Sequence, residues 1–213
     1  MKYYFMHVTN KEILEKVHRF RYKIMYDELG WIKSNPNGIE TDAYDRYCDQ
    51  FAILNDKSEI CCTMRLIHHS PIGYPTERFL DLDQEKYQYE RDKLSEMSRI
   101  FIHPRYRNMS ETKIFISSIV KSLAYEKIKE YKIEYCYGML EEKFLKLVNM
   151  FKIPYQSIAD IEEDYDKLKY PSILYVKELQ RLNPQLEKSW KKNEKISVLD
   201  LELKIKPEQI IIY

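Results

Sequence analysis

Four groups of charged residues have the types and spacing for acid–base or ion-pair chemistry. Arg21 sits at the edge of an apolar helical stripe, one turn before Met25. The segment "ETDAYD" gathers Glu40, Asp42 and Asp45 within six residues. Arg65 interrupts the apolar run "CCTMRLI", where an arginine needs a carboxylate partner or a site to serve. "SEMSR" places Glu96 and Arg99 in a strand-like stretch, where burial raises a carboxyl pKa and suits it to general-base work. Strand alternation puts Glu96 on a face with Ser98 and Arg99 on a face with Met97. Each group alone also fits a plain role: a snorkelling Arg21, a solvated acidic loop, a cross-strand Glu96–Arg65 pair. His68 and His69 diverge on a strand, and Cys48, Cys61, Cys62 and Cys136 lack metal-type spacing. Cys61 and Cys62, on opposite strand faces, read as packing residues.

The elements that must position these groups alternate between strand and helix. Residues Lys2 to Val8 read as a strand, and Thr9 with Glu12 as a capping box for a helix. That helix carries Ile13, Val17, Phe20 and Ile24 at buried spacing and stops near Gly30. A loop from Trp31 to Arg46 leads to strands at Gln50–Leu54 and Ile60–His68. A long polar loop from Ser70 to Asp92 follows, its length marking it as functional or mobile. Then come a strand at Leu94–His103, a helix at Glu111–Tyr131 capped by Asn108, a strand over "IEYCYG" and a helix at Glu141–Phe151. "SILYVKEL" reads as a late strand, and "VLDLELKI" and "QIIIY" as extra short ones. The order predicts a mixed, mostly antiparallel twisted α/β (α+β) sheet with flanking helices, its fourth and fifth strands parallel because a helix crosses between them. Residues 1–181 form the expected domain, and residues 182–213 a C-terminal extension.

The stretch "SEMSRIFIHPRYRNMSETKIF" joins the Glu96 strand to the second helix. Ser110 and Thr112 stand where a pyrophosphate-gripping turn carries glycines, and Glu111 adds a negative charge to the same first helical turn. That charge opposes a diphosphate. Arg105, Arg107 and Lys113 are suited to a single phosphate or to an acidic protein surface. With a net charge of +1 over 213 residues, the chain shows no broad nucleic-acid footprint. No apolar run is long enough to span a bilayer and no secretory signal opens the chain, so the expected place is the cytoplasm, without stable membrane insertion.

The ordered set of Arg21, Met25 and Trp31, then Glu40, Asp42, Tyr44 and Asp45, then Arg65-Leu66, then Glu96, Ser98 and Arg99 resembles the acyl-homoserine-lactone (autoinducer) synthases. It is also similar to their relatives, the long-chain N-acyl amino acid synthases. Both have the acetyltransferase-like GNAT fold, and the resemblance spans roughly residues 1–180. It implies that Arg21, Trp31, Asp42, Asp45, Arg65, Glu96 and Arg99 form the active-site cluster. It further implies an acyl thioester donor on acyl carrier protein or coenzyme A, S-adenosylmethionine as acceptor, and no tightly bound cofactor. Met25 in place of the usual Phe, and "IHHSPIGYPTERF" in place of the usual segment after Arg-Leu, leave a free amino acid open as the acceptor. In the implied mechanism the thioester lies between the fourth and fifth strands and the acceptor amine rests against the acidic loop. Glu96 takes the amine proton, directly or through water, and the arginines hold the carboxylates and any acceptor carboxyl group. A non-catalytic binding module on the same fold is the rival from another class.

Overall fold

The computed structural model describes residues 3–164 and 167–191. Its strands are β1 (Tyr3–His7), β2 (Cys48–Asn55), β3 (Ile60–His68), β4 (Leu94–Ile102), β5 (Tyr135–Leu140), β6 (Tyr155–Ser157), β7 (Glu162–Asp164) and β8 (Lys167–Tyr175). The helices are α1 (Lys11–Tyr22), α2 (Met109–Ser118), α3 (Tyr125–Glu130), α4 (Glu142–Met150), α5 (Val176–Leu182) and α6 (Gln185–Lys191). A π-helical stretch extends α1 over Lys23–Glu28, and another, Ile119–Ala124, joins α2 to α3. The sheet order is β1-β2-β3-β4-β5-β8-β6, with β7 paired to the start of β8. All pairings are antiparallel except β4 with β5, as the crossing helix demands.

Both sheet faces are covered, which explains why β2 and β3 read as nearly continuous apolar runs. On one face Ile13, Val17, Phe20 and Ile24 pack on Met6, Ala52 and Leu54. On the other, Phe115, Ile116, Ile119 and Leu123 pack on Phe51, Ile53, Met64 and Leu66. Cys61 and Cys62 both belong to this second cluster. The expected opposite facing fails because Ile53 pairs with Cys62 and Leu54 with Ile60, leaving Cys61 as the extra residue of a bulge.

Asn10, not Thr9, caps α1, its side chain accepting from the amides of Glu12 (2.9 Å) and Ile13 (3.2 Å). Replacing Asn10 by Ala is therefore expected to cost about 1 kcal/mol of unfolding free energy, read from a urea titration, while Thr9→Ala costs less. Gly30, at φ +64°, turns the chain out of the first helix, and the Trp31 amide bonds back to the Met25 carbonyl at 2.8 Å. The long loop before β4 is not featureless. It holds three 3₁₀ turns, at Pro75–Phe79, Glu85–Tyr87 and Arg91–Lys93. The last four residues of "SILYVKEL" are helical and belong to α5, because Tyr175 is the final residue paired with β5. Past residue 181, Leu186 of α6 packs on the main core and Glu187 accepts from the Tyr125 hydroxyl at 2.9 Å. The strands expected in "VLDLELKI" and "QIIIY" lie outside the described residues.

Candidate active site

Three arginines and three carboxylates interlock beside β4. Arg21, fully buried on α1, donates from Nε to Glu40, with which it forms an ion pair, and from Nη1 and Nη2 to Asp45 at 2.8 and 3.1 Å. Arg65, fully buried on β3, donates to both oxygens of Asp42 at 2.6 and 3.0 Å, to Asp45 at 3.0 Å and to the Ser98 hydroxyl at 3.1 Å. Arg99 completes the set, donating to Glu40 at 3.0 Å and to Asp42 at 3.1 Å. The acidic loop is fixed in this shape by a reciprocal cap: Asp42 accepts from the Tyr44 amide at 2.9 Å and Asp45 from the Asp42 amide at 2.8 Å. Gln50 supplies a further donor to Asp45 at 2.8 Å.

The cluster is internally neutral, three positive against three negative. Burial pushes the Asp42 and Asp45 carboxyls upward, and the arginines more than reverse this, holding both below the ordinary carboxylate range. Burial likewise works against the Arg65 charge, and its bonds to Asp42 carry its pKa above the ordinary value. The six groups behave as one ion-pair body.

Arg99 reaches that body through a bulge. Thr63 pairs with Phe101 and Arg65 with Ser98, so β4 carries an extra residue opposite Met64. Arg99 takes φ +53° there, which turns its side chain to the Ser98 side rather than the Met97 side that simple alternation gives. Met97 joins the core beneath α2.

Glu96 is the buried carboxyl that this body does not neutralise. Only 1 % of it is exposed, opposite Ile67 on β3 and Tyr137 on β5. It does not pair with Arg65, whose guanidinium is directed to the acidic loop. Its hydrogen-bond donor is the Thr76 amide at 2.9 Å, delivered by the 3₁₀ turn Pro75–Phe79. Gly73, at φ +79°, shapes the approach to this turn, and a Cβ there would lie 2.5 Å from the Glu77 carboxylate. Desolvation pushes the Glu96 pKa from 4.5 to about 7, outweighing the Thr76 bond. A carboxyl in that range is matched to taking a proton at neutral pH.

Parallel pairing of β4 and β5 ends at Glu96 and Tyr137, and beyond that point the strands part. The resulting cavity, about 750 Å³, has Glu96, Asp42 and Arg99 on its polar wall. Ile100, Ile102, Met139, Phe144 and Leu147 supply apolar wall. Trp31 lines it too, its ring 6.4 Å from that of Phe101. The sequence-derived cluster therefore divides: Glu96, Asp42, Arg99 and Trp31 border the cavity, and Arg21, Arg65 and Asp45 support them from behind.

The residues expected to meet a donor phosphate are spread out. Arg107 borders the cavity, donating to the Ile102 carbonyl at 2.8 Å and pairing with Glu28. Arg105 is largely exposed, 3.7 Å from Glu59, and Lys113 is exposed on α2. Glu111 accepts from the Tyr3 hydroxyl at 2.6 Å, and both its amide and its carboxylate bond Asn108.

Sequence reasoning missed one cation of the cavity wall. Lys169 of β8 lines the cavity with its ammonium 4.5 Å from the centre of the Trp31 ring and 3.2 Å from Asp164. The clue was a lysine in the "LKYPSILY" strand, 104 positions after Arg65. Among the described residues no cluster of His, Cys, Asp and Glu has metal-site geometry, and no helix is long and apolar enough to cross a membrane.

Residues 20–116, somewhat under half the chain, match the family profile for an acetyltransferase (GNAT) domain. Among solved structures, the chain is similar to the AHL synthase LasI, with a TM-score of 0.64 and 13 % identity over 85 % of this chain and 92 % of that one. It is similar to FeeM, an N-acyl amino acid synthase from uncultured soil microbes, with a TM-score of 0.65 and 14 % identity over 85 % and 94 % of the two chains. BjaI, a CoA-dependent acyl-homoserine lactone synthase solved with SAM and isopentyl-CoA, gives 0.61 and 16 % over 87 % and 89 %. No curated protein sequence matches the chain. At these identities the likeness is one of fold: the chain has the GNAT-like architecture of these synthases, as its ordered charge pattern implies.

Proposed function

We propose that this protein is an N-acyltransferase, moving a fatty acyl group from a thioester donor to the amine of an amino-acid-type acceptor. The observation that carries this reading is the placement of Glu96. A carboxyl poised near pH 7 lies where β4 and β5 part, in the same cavity wall as Asp42 and Arg99. In this reading the thioester enters between the parting strands, with main-chain amides polarising its carbonyl. The acceptor amine rests near Asp42, and its proton passes to Glu96 directly or through one water. The nitrogen lone pair then attacks the carbonyl carbon, and the carbon–sulfur bond breaks to release the thiol. No covalent enzyme intermediate is needed. The thiols of Cys61, Cys62 and Cys136 are buried and their pKa values are pushed to about 11 or above, so they are poor nucleophiles.

S-adenosylmethionine is the proposed acceptor, giving an acyl-homoserine lactone and methylthioadenosine. A free amino acid is the second reading, favoured by Met25 in the wall behind Trp31 and by the likeness to FeeM. For the donor, the Glu111 charge at the start of α2 favours a carrier-bound phosphopantetheine over coenzyme A, with Arg105, Arg107 and Lys113 as its phosphate or carrier-protein contacts. Mass spectrometry of lipid extracts from cells producing the wild type and Glu96→Gln tests the proposal. A new acyl-homoserine lactone, or a new N-acyl amino acid, with the wild type alone is the expected result and identifies the acceptor. No new acylated amine, with acyl carrier protein and acyl-CoA donors both supplied to the purified protein, would overturn it.

A further inference from the structure

Each acyl transfer of the kind proposed above leaves a proton on Glu96. An acceptor that enters as an ammonium ion loses two protons from nitrogen: one ends on the departing sulfur, the other on the carboxylate. Glu96 must shed its proton before the next turnover, yet it is almost fully buried and the cavity beside it then holds product. Its other side is built differently. Tyr137 carries a hydroxyl that is fully buried and has no hydrogen-bond partner among the described residues. Glu96 and Tyr137 are register partners on the parallel strands, so both side chains leave the sheet on one face. Tyr137 does not line the cavity. It lies under the loop before β4, with the rings of Tyr74 and Tyr89 edge-on to its own at 6.4 and 5.7 Å. The charged groups that act on its hydroxyl are Glu77, Arg91 and Glu96, and Glu77 and Glu96 also act on each other. Glu77 is bonded to Arg91, whose side chain is half exposed, so this side leads to solvent. A buried hydroxyl without a partner costs stability, and a native structure that keeps one calls for a use.

We propose that the Tyr137 hydroxyl relays the proton from Glu96 toward the Glu77–Arg91 pair at the surface, resetting the base by a route that bypasses the substrate cavity. The inference rests on the acyltransfer reading and deepens it. A hydroxyl suits the task because its oxygen accepts one proton while it gives up another, so the phenol is neutral again after each passage. Water completes the hydrogen-bond chain where two groups stand apart. Burial pushes the Tyr137 pKa up, which keeps the phenol protonated between passages. Tyr137 touches no substrate in this scheme and acts through Glu96.

Tyr137→Phe tests this, since it deletes the hydroxyl and keeps the ring. Wild type and variant are given S-adenosylmethionine or L-methionine, with decanoyl carrier protein or decanoyl-CoA, at pH 8, where Glu96 starts in its basic form. Product is followed from the first turnover by rapid quench and mass spectrometry, in ordinary and in heavy water. The variant should melt no lower than the wild type, because the group it loses is buried and unpaired. Its first turnover should run at the wild-type rate, followed by a kcat roughly 10- to 100-fold lower with a larger solvent isotope effect. Because resetting follows product formation, KM should fall with kcat and leave kcat/KM nearly unchanged. A kcat and isotope effect equal to those of the wild type overturn the inference and leave acyl transfer standing. A first turnover slowed as much as kcat also overturns it and makes Tyr137 a support for the site geometry. A wild type that acylates neither acceptor counts against acyl transfer itself.

Discussion

Glu96→Gln is expected to abolish acyl transfer, by a factor of roughly 10² to 10⁴, while making the protein more stable at pH 8. The substitution is close to isosteric and keeps an acceptor for the Thr76 amide, so the site geometry survives. What disappears is the group that takes the proton. The pH profile carries the same information in the wild type. Because the basic form is needed and the pKa lies at about 7, kcat/KM should rise with pH through about 7 and then level off. The stability argument has the opposite sign. A carboxyl whose folded-state pKa is raised from 4.5 to about 7 contributes stability below pH 4.5, and loses it as pH rises through about 7. The loss amounts to about 3 kcal/mol for a shift of this size. The gap in unfolding free energy between Glu96→Gln and the wild type should widen by this order between pH 4.5 and 8. Denaturant unfolding across that range checks it, and a gap independent of pH would mean that Glu96 is not held in a desolvated site.

Arg65→Met should be among the most destabilising single changes in the chain. It strands Asp42 and Asp45 with one guanidinium fewer, in a place where burial already works against their charge. Removing one member of a buried ion-pair body costs about 3–5 kcal/mol, which for a chain of this size lowers the melting temperature by about 10 °C. The Arg65→Met/Asp42→Asn double variant should be less destabilised than the sum of the single ones, because the second change removes a charge the first left unpaired. A fall of less than about 2 °C for Arg65→Met would mean that the carboxylates find other cations or water, and that the network is peripheral to stability.

The helical stripes of α1 and α2 and the crossing between β4 and β5 were legible because each rests on a local period or a chain-length argument. So was the demand for a carboxylate beside Arg65, since a guanidinium in an apolar strand has few ways to be stable. The facing of Arg99 was not legible. A period of two holds only while the strand is regular, and one extra residue opposite Met64 reverses it. The same reason defeated the reading of Cys61 and Cys62. The cap at Asn10 was mistaken for Thr9 because both are good capping residues one position apart, and only the backbone angles decide between them. Lys169 escaped because its surroundings are set by the fold: it pairs with Glu162 of β7, while the rest of β8 pairs with β5 and carries it to the cavity. That it faces Trp31 follows from sheet order, which is a property of the whole fold.

The parting of β4 from β5 has a thermodynamic consequence. Beyond Glu96, among the described residues no strand pairs with the β5-facing side of β4, although the strand runs on to Ile102. The sheet thus carries an open edge in its interior, sheltered from other proteins by the walls of a cavity yet able to pair with any extended amide that fits. In the proposed reaction the pantetheine arm of the thioester donor would be such a ligand, a linear chain with two amides of its own. Under that proposal donor binding becomes a step of folding, adding backbone pairs to the open edge of β4. Saturation at a hundred times the dissociation constant should raise unfolding free energy by about 2.7 kcal/mol, and amide hydrogen exchange along Met97–Ile102 should slow with it.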